Sequence, residues 1–162
     1  MARRYIDGPE VKLAVRDGIF LDAEFYHGEK YEMLEPKRLF PGSGLMQYIA
    51  LMDSEGNEVA IIRNLESLLP ESKQAIVQCL HEQYIIPKLT RFVRQSKKFR
   101  IWKWTWDTDK GRVTFEVINH VASIKTFYDG RVLIKDGNDN RYEIPDIHAL
   151  DKRSLKMLLP NL

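Results

Sequence analysis

At 162 residues, 44% of them apolar and 30% charged, the chain is long enough to bury roughly two thirds of its extended surface without disulfide or metal staples. Its 25 basic and 23 acidic residues nearly cancel to +2, which excludes a nucleic-acid or membrane partner chosen by bulk charge alone. The sequence lacks the 18-residue apolar run needed to cross a bilayer, so direct membrane insertion is not expected, and a lone Cys79 forms no internal disulfide.

Met1 to Pro9 holds Arg3 and Arg4 but reaches the Gly8-Pro9 turn signal without an apolar segment. It does not read as a secretory leader, and a cytoplasmic location is expected. Val11, Leu13 and Val15 then alternate with Lys12, Ala14 and Arg16, and Asp17-Gly18 supplies the positive-φ pair of a tight hairpin before Ile19 to Tyr26 resumes the extended pattern. His27-Gly28-Glu29-Lys30 reads as a turn and Tyr31 to Leu34 as a third strand. Pro36 and Pro41-Gly42-Ser43-Gly44 read as a punctuated connection. Strands follow at Gln47 to Met52 and Glu58 to Arg63.

A helix begins at Pro70, whose fixed φ suits a first helical position. Ala75, Ile76, Cys79, Leu80 and Tyr84 share its inward face, which makes Cys79 a buried thiol rather than a nucleophile. Pro87 stops the helix, and the apolar Tyr84-Ile85-Ile86-Pro87 connector does not read as a free linker. Beyond it, Lys88 to Arg94, Arg100 to Trp106, Val113 to Ile118, Arg131 to Lys135 and Asn140 to Ile144 read as strands. His120 to Phe127 reads equally as a helical turn or a strand. Asp151 caps a last helix, Lys152 to Leu159, ended by Pro160.

Two stretches share one order of features. Asp53-Ser54-Glu55-Gly56-Asn57, Ile62, Asn64-Leu65, Leu68 and Ser72 are matched by Asp136-Gly137-Asn138-Asp139-Asn140, Ile144, Asp146-Ile147, Leu150 and Ser154. The identities Leu51/Leu133, Ile62/Ile144, Leu68/Leu150 and Ser72/Ser154 all lie 82 positions apart, which predicts an internal duplication. The expected fold is therefore α+β and β-rich: two similar halves of antiparallel strands, each ending in a helix, packed as one unit. Residues 1–10 form an N-terminal arm, and 11–162 a single domain of pseudo-repeats at about 11–84 and 85–162.

Charge is unevenly spread. No acidic residue lies between Gln83 and Trp106, whereas Lys88, Arg91, Arg94, Lys97, Lys98, Arg100 and Lys103 do. One reading is a solvated edge strand kept from aggregating by its cations. The other is a docking surface for an acidic protein patch or a polyanion, carried by Lys88, Arg91, Arg94, Lys97, Lys98 and Arg100. Trp102, Trp104 and Trp106 alternate beside this run. Val113, Phe115 and Val117 offer them an apolar cross-strand face, so burial is expected for all but the outermost indole, rather than a platform for stacked bases.

Catalytic and cofactor signals are weak. Arg141 and Ile147 occupy the positions where a calcium loop starting at Asp136 needs its Gly and bidentate Glu. His27, His81, His120 and His148 are too scattered for a zinc motif, and Gly42-Ser43-Gly44 lacks the Lys of a phosphate loop. No catalytic residue, metal or cofactor is assigned.

Taken in combination, Met52-Asp53-Ser54-Glu55-Gly56-Asn57-Glu58, Pro70-Glu71-Ser72, Tyr84-Ile85-Ile86-Pro87-Lys88, Trp104-Thr105-Trp106-Asp107 and Asn140-Arg141-Tyr142-Glu143-Ile144-Pro145-Asp146 resemble a bacterial cyanophycin-metabolism-associated family of unknown function, domain of unknown function 1854. The likeness spans about Val11 to Leu159. It implies an accessory role beside an ABC-type transporter or cyanophycin-related machinery, at the inner face of the membrane through a protein partner, and it brings no catalytic residues. The expectation is a non-enzymatic binding protein. The alternatives are a nucleic-acid or polyanion binder and an enzyme of cyanophycin-type metabolism.

Overall fold

The structure is a computed structural model that describes residues 3–162, apart from the side chain of Val121. Among the described residues the protein is β-rich, with twelve strands in three sheets and three α-helices. The chain divides into two compact units between Ile85 and Ile86.

The first unit contains β1 (Tyr5–Ile6), β2 (Val11–Arg16), β3 (Phe20–Phe25), β4 (Lys30–Arg38), β5 (Gln47–Met52), β6 (Glu58–Asn64) and α1 (Pro70–Ile85). They build a six-stranded sheet in the order β1-β6-β5-β4-β3-β2, antiparallel throughout except that β1 runs parallel to β6. The segment expected as an N-terminal arm thus supplies a strand. Strand β4 is longer than expected and runs through Pro36, which pairs with Leu51. Pairing to β3 has ended at Leu34, so one edge of β4 lies open where the residue without an N–H sits.

Alternation turns Val11, Leu13, Leu21, Ala23 and Phe25 inward, where they meet Ala75, Ile76, Cys79 and Leu80 of α1. Burial pushes the Cys79 thiol up to about 12, which keeps it protonated and inert. Tyr84 corrects the expected inward face, being 79% exposed. In the last turn it is Gln83 that meets the sheet, donating from Nε2 to the Ile19 carbonyl at 3.4 Å. In the connector, Ile86 is buried as expected, whereas Tyr84 and Ile85 are exposed.

The second unit opens with a meander of β7 (Leu89–Lys98), β8 (Ile101–Thr108) and β9 (Gly111–Val117). After α2 (His120–Ser123) come β10 (Ile124–Thr126), β11 (Val132–Lys135), β12 (Arg141–Ile144) and α3 (Lys152–Leu158). The ambiguous stretch from His120 is therefore a helical turn followed by a strand. Where β4 is continuous and holds one sheet together, β9 and β10 are interrupted by α2, and two three-stranded sheets result.

Local hydrogen bonding is matched between the units. Asp53 Oδ1 accepts from the backbone N–H of Glu55 (2.9 Å) and Asn57 (2.8 Å), and Asp136 Oδ1 accepts from Asn138 (2.8 Å) and Asn140 (2.9 Å). Asn64 and Asp146 each cap a short 3-10 turn, accepting from Glu66 N and His148 N, both at 2.9 Å. Ser72 of α1 accepts from Leu13 N at 3.1 Å, and Ser154 of α3 accepts from Phe92 N at 2.8 Å. Both hydroxyls satisfy a backbone donor of an edge strand, a buried group that would otherwise carry a desolvation penalty of about 1–3 kcal/mol.

Pairing also resolves an oddity in the spacing of the two stretches. A bulge in β6 separates the Met52↔Glu58 pair from Leu51↔Ala60, whereas β11 and β12 pair without interruption. The extra residue, Val59, changes the offset from 83 before it to 82 after it. Counted from the two turns, Leu51 takes the ladder position of Ile134 rather than of Leu133.

Candidate functional site: a basic sheet face

Side chains paired across adjacent strands share a face. Phe92, Trp106 and Val113 form one rung, Gln95, Trp104 and Phe115 the next, and Lys97, Trp102 and Val117 the third. This is the core side of the meander. Trp104 and Trp106 are fully buried and Trp102 is half-buried, as the alternation predicts. Each fully buried indole removes roughly 200 Å² from water, worth about 5 kcal/mol of transfer free energy. Neither Nε1 has a protein hydrogen-bond partner, nor does His120 Nε2. The His120 ring stacks on Trp104 at 5.8 Å, and burial, then nearby Lys97, hold its pKa below the ordinary 6.5.

The opposite face carries Arg91, Asp107 and Arg112 on one rung, Arg94, Thr105 and Thr114 on the next, then Ser96, Lys103 and Glu116. Asp107 lies between two guanidiniums, 3.0 Å from Arg91 and 2.8 Å from Arg112. Hydrogen bonds from Arg112 and then Arg91 hold its carboxyl below the usual range. Thr105 and Thr114 share a 2.9 Å hydroxyl contact, and with Arg94, Gln95, Ser96 and Lys103 they line a depression of about 240 Å³. Two bulges in β7, between Leu89 and Arg91 and between Phe92 and Arg94, set Arg94 over the threonine pair.

The six cations read from the sequence therefore do not act as one set. Lys88 is half-buried against Glu143, 3.5 Å away, and Arg91 is bound to Asp107. For these two the strand ladder brings in acids from β12 and β8 that the run itself lacks. Arg94 and Lys98 share the outer face, Lys97 points to the indole side with Nζ 5.2 Å from the Trp102 ring centroid, and Arg100 sits in the hairpin loop. Lys103 and Arg112, absent from the predicted set, complete the face; the β7-β8 register sets Lys103 near Arg94, and the β8-β9 register sets Arg112 opposite Asp107. Among the described residues, the ion pairs of the second unit leave Arg94, Lys97, Lys98, Arg100 and Lys103 exposed and in no ion pair, Glu116 facing Lys103 across the ladder.

The corresponding face of the first unit differs in charge. Lys12, Glu24 and Lys30 form a rung like that of Arg91, Asp107 and Arg112, but Asp22 and Glu32 follow, each drawn to Arg16 at 2.7 and 3.6 Å. By sequence the first 85 residues hold nine basic and fourteen acidic side chains, a net −5, and the remaining 77 hold sixteen and nine, a net +7.

The oxygens of Asp53 and Asp136 are occupied by their own turns, Asp136 Oδ2 also accepting from Tyr142 Oη at 3.2 Å. Among the described residues no cluster of three metal-ligating side chains was found. What the fold and face define is a β-rich, two-unit protein with a cationic sheet surface. By sequence the chain belongs to the family described as a domain of unknown function (DUF1854), whose model matches residues 31–160. Neither a curated protein nor a solved structure matches it.

Proposed function

We propose that this protein is a non-enzymatic binding module that docks an acidic macromolecular surface onto the outer face of β7, β8 and β9. The supporting observation is the group of unneutralised cations around the Thr105–Thr114 pair, Arg94 and Lys103 foremost, in a unit that carries +7. Hydroxyls and cations lining a shallow depression suit carboxylates, and several weak charge pairs give orientation and on-rate more than affinity. The partner we propose is a component of an ABC-type transporter, a choice that rests on the family resemblance. The same reading takes the two units as copies of one ancestral unit, supported by the paired Ser72/Ser154 and Asp53/Asp136 hydrogen bonds.

Co-expression with an ABC-type transporter component tests this. Wild type co-purifies with it at low salt, and the Arg94→Glu/Lys97→Glu/Lys98→Glu/Lys103→Glu variant folds but does not. Capture unchanged by that variant removes the proposal. A second reading, polyanion binding, draws support from half-buried Trp102 beneath Lys97. It requires a gel shift with single-stranded DNA at about 50 mM salt that fades steeply as salt rises, and no shift there rejects it.

A further inference from the structure

The loop between β7 and β8 is unlike its counterpart in the first unit. Both loops contain two consecutive residues with positive φ. In the β2-β3 loop these are Asp17 (φ 52°) and Gly18 (φ 80°), residue types that reach this region readily. In the β7-β8 loop they are Phe99 (φ 51°) and Arg100 (φ 66°), neither of which does. The apolar residue of each loop differs as well. Ile19, just after its pair, is folded into the protein at 4% exposure, whereas Phe99, the first of its pair, is 86% exposed, the most exposed large apolar side chain among the described residues. Strand β7 is ten residues long against six in β2, and from Arg94 to Arg100 every residue is exposed.

A strained backbone that holds a phenyl ring in water persists when the ring has a use. Lys98 Nζ lies 5.5 Å from the ring centroid, Lys97 and Arg100 are close by in sequence, and no acidic residue occurs on the hairpin until Asp107. A convex two-residue tip offers no concave complement to a protein side chain. It fits a surface that deforms around it, where an aromatic ring settles at the headgroup level and cations meet anionic headgroups. We propose that the β7-β8 tip is a peripheral anchor for an anionic lipid surface, with Phe99 entering the interface and Lys97, Lys98 and Arg100 on the headgroups. Nothing spans the membrane in this arrangement. It goes beyond the docking proposed above, which uses Arg94 and Lys103 on the sheet face, and it stands or falls separately.

The test is sedimentation with vesicles of phosphatidylcholine alone or mixed with phosphatidylglycerol, at low salt. Wild type binds the anionic vesicles and not the neutral ones, and lipids brominated in the acyl chain quench its Trp102 emission. The variant Phe99→Asn/Arg100→Gly supplies the residue types the loop geometry favours, so it melts at a higher temperature than wild type yet loses about ten-fold or more in vesicle affinity. The Arg94→Glu/Lys103→Glu variant, which spares the tip, retains Trp102 quenching. Absence of binding to anionic vesicles overturns the proposal, as does binding that survives Phe99→Asn/Arg100→Gly. Capture of poly-glutamate or single-stranded DNA through Phe99 without vesicle binding overturns it too, in favour of a macromolecular partner.

Discussion

The first unit places Glu24 between Lys12 and Lys30 and draws Asp22 and Glu32 to Arg16, whereas the second places Asp107 between Arg91 and Arg112 and leaves Arg94 and Lys103 outside any ion pair, with Glu116 across the ladder from Lys103. The two meanders have the same strand order, the same helix hydroxyl on the edge strand and the same buried side. They differ in what the outer side shows to solvent. Similar local bonding with dissimilar surface charge separates the residues that hold each unit together from those exposed on its outer side.

Core substitutions test the shared framework most severely. Trp106→Ala should remove about 3–5 kcal/mol from the second unit, and Ile76→Ala about 2–5 kcal/mol from the first. Because all three tryptophans lie in the second unit, urea unfolding followed by tryptophan emission senses Trp106→Ala directly, while far-UV circular dichroism reports both units. Next come the paired serines. Ser72→Ala and Ser154→Ala each strand a buried backbone N–H and should each cost about 1–3 kcal/mol; a loss at one site only would break the equivalence.

The turn aspartates sharpen the comparison further. Asp53→Ala and Asp136→Ala should each destabilise by about 1–2 kcal/mol, with the larger loss at Asp136. Asp136 is buried and holds the Tyr142 hydroxyl, whose own pKa is pushed up to about 12 by burial and then by that carboxylate. The smallest effect is a pH dependence belonging to the second unit. His120 is held neutral beneath Trp104, so its folded pKa lies below the unfolded value near 6.5. Its contribution to stability is complete above about pH 6.5 and is lost as pH falls from there through the lower folded value. His120→Gln should flatten that slope, measured as melting temperature against pH.

Local chemistry made much of the frame legible. Asp17-Gly18 marked a hairpin, Pro70 a helix start, and the Ser72/Ser154 identity two hydroxyls that each accept from a backbone N–H of an edge strand. Pro36 misled because a proline within a strand is tolerated only where a neighbouring strand stops, and strand ends are set by tertiary pairing. Tyr84 misled because helical spacing gives a face but not the point at which the sheet beneath it shifts to Gln83. On the basic strand the sequence located the cations but not their neighbours. Whether Lys88 and Arg91 are free depends on Glu143 and Asp107, which only the ladder brings within reach. Phe99 was hidden because an Arg-preceding aromatic at a strand junction gives no sign of a left-handed backbone.

The most direct measurement compares the outer faces in one assay, the anisotropy of a labelled glutamate-rich peptide titrated with protein at about 50 mM salt. Reversing charges on the second unit with Arg94→Glu/Lys103→Glu should weaken binding by about ten-fold or more, while Lys12→Glu/Lys30→Glu on the first should leave it within about two-fold of wild type. Equal losses from the two variants, or none from Arg94→Glu/Lys103→Glu, would contradict a binding role specific to the second unit's face.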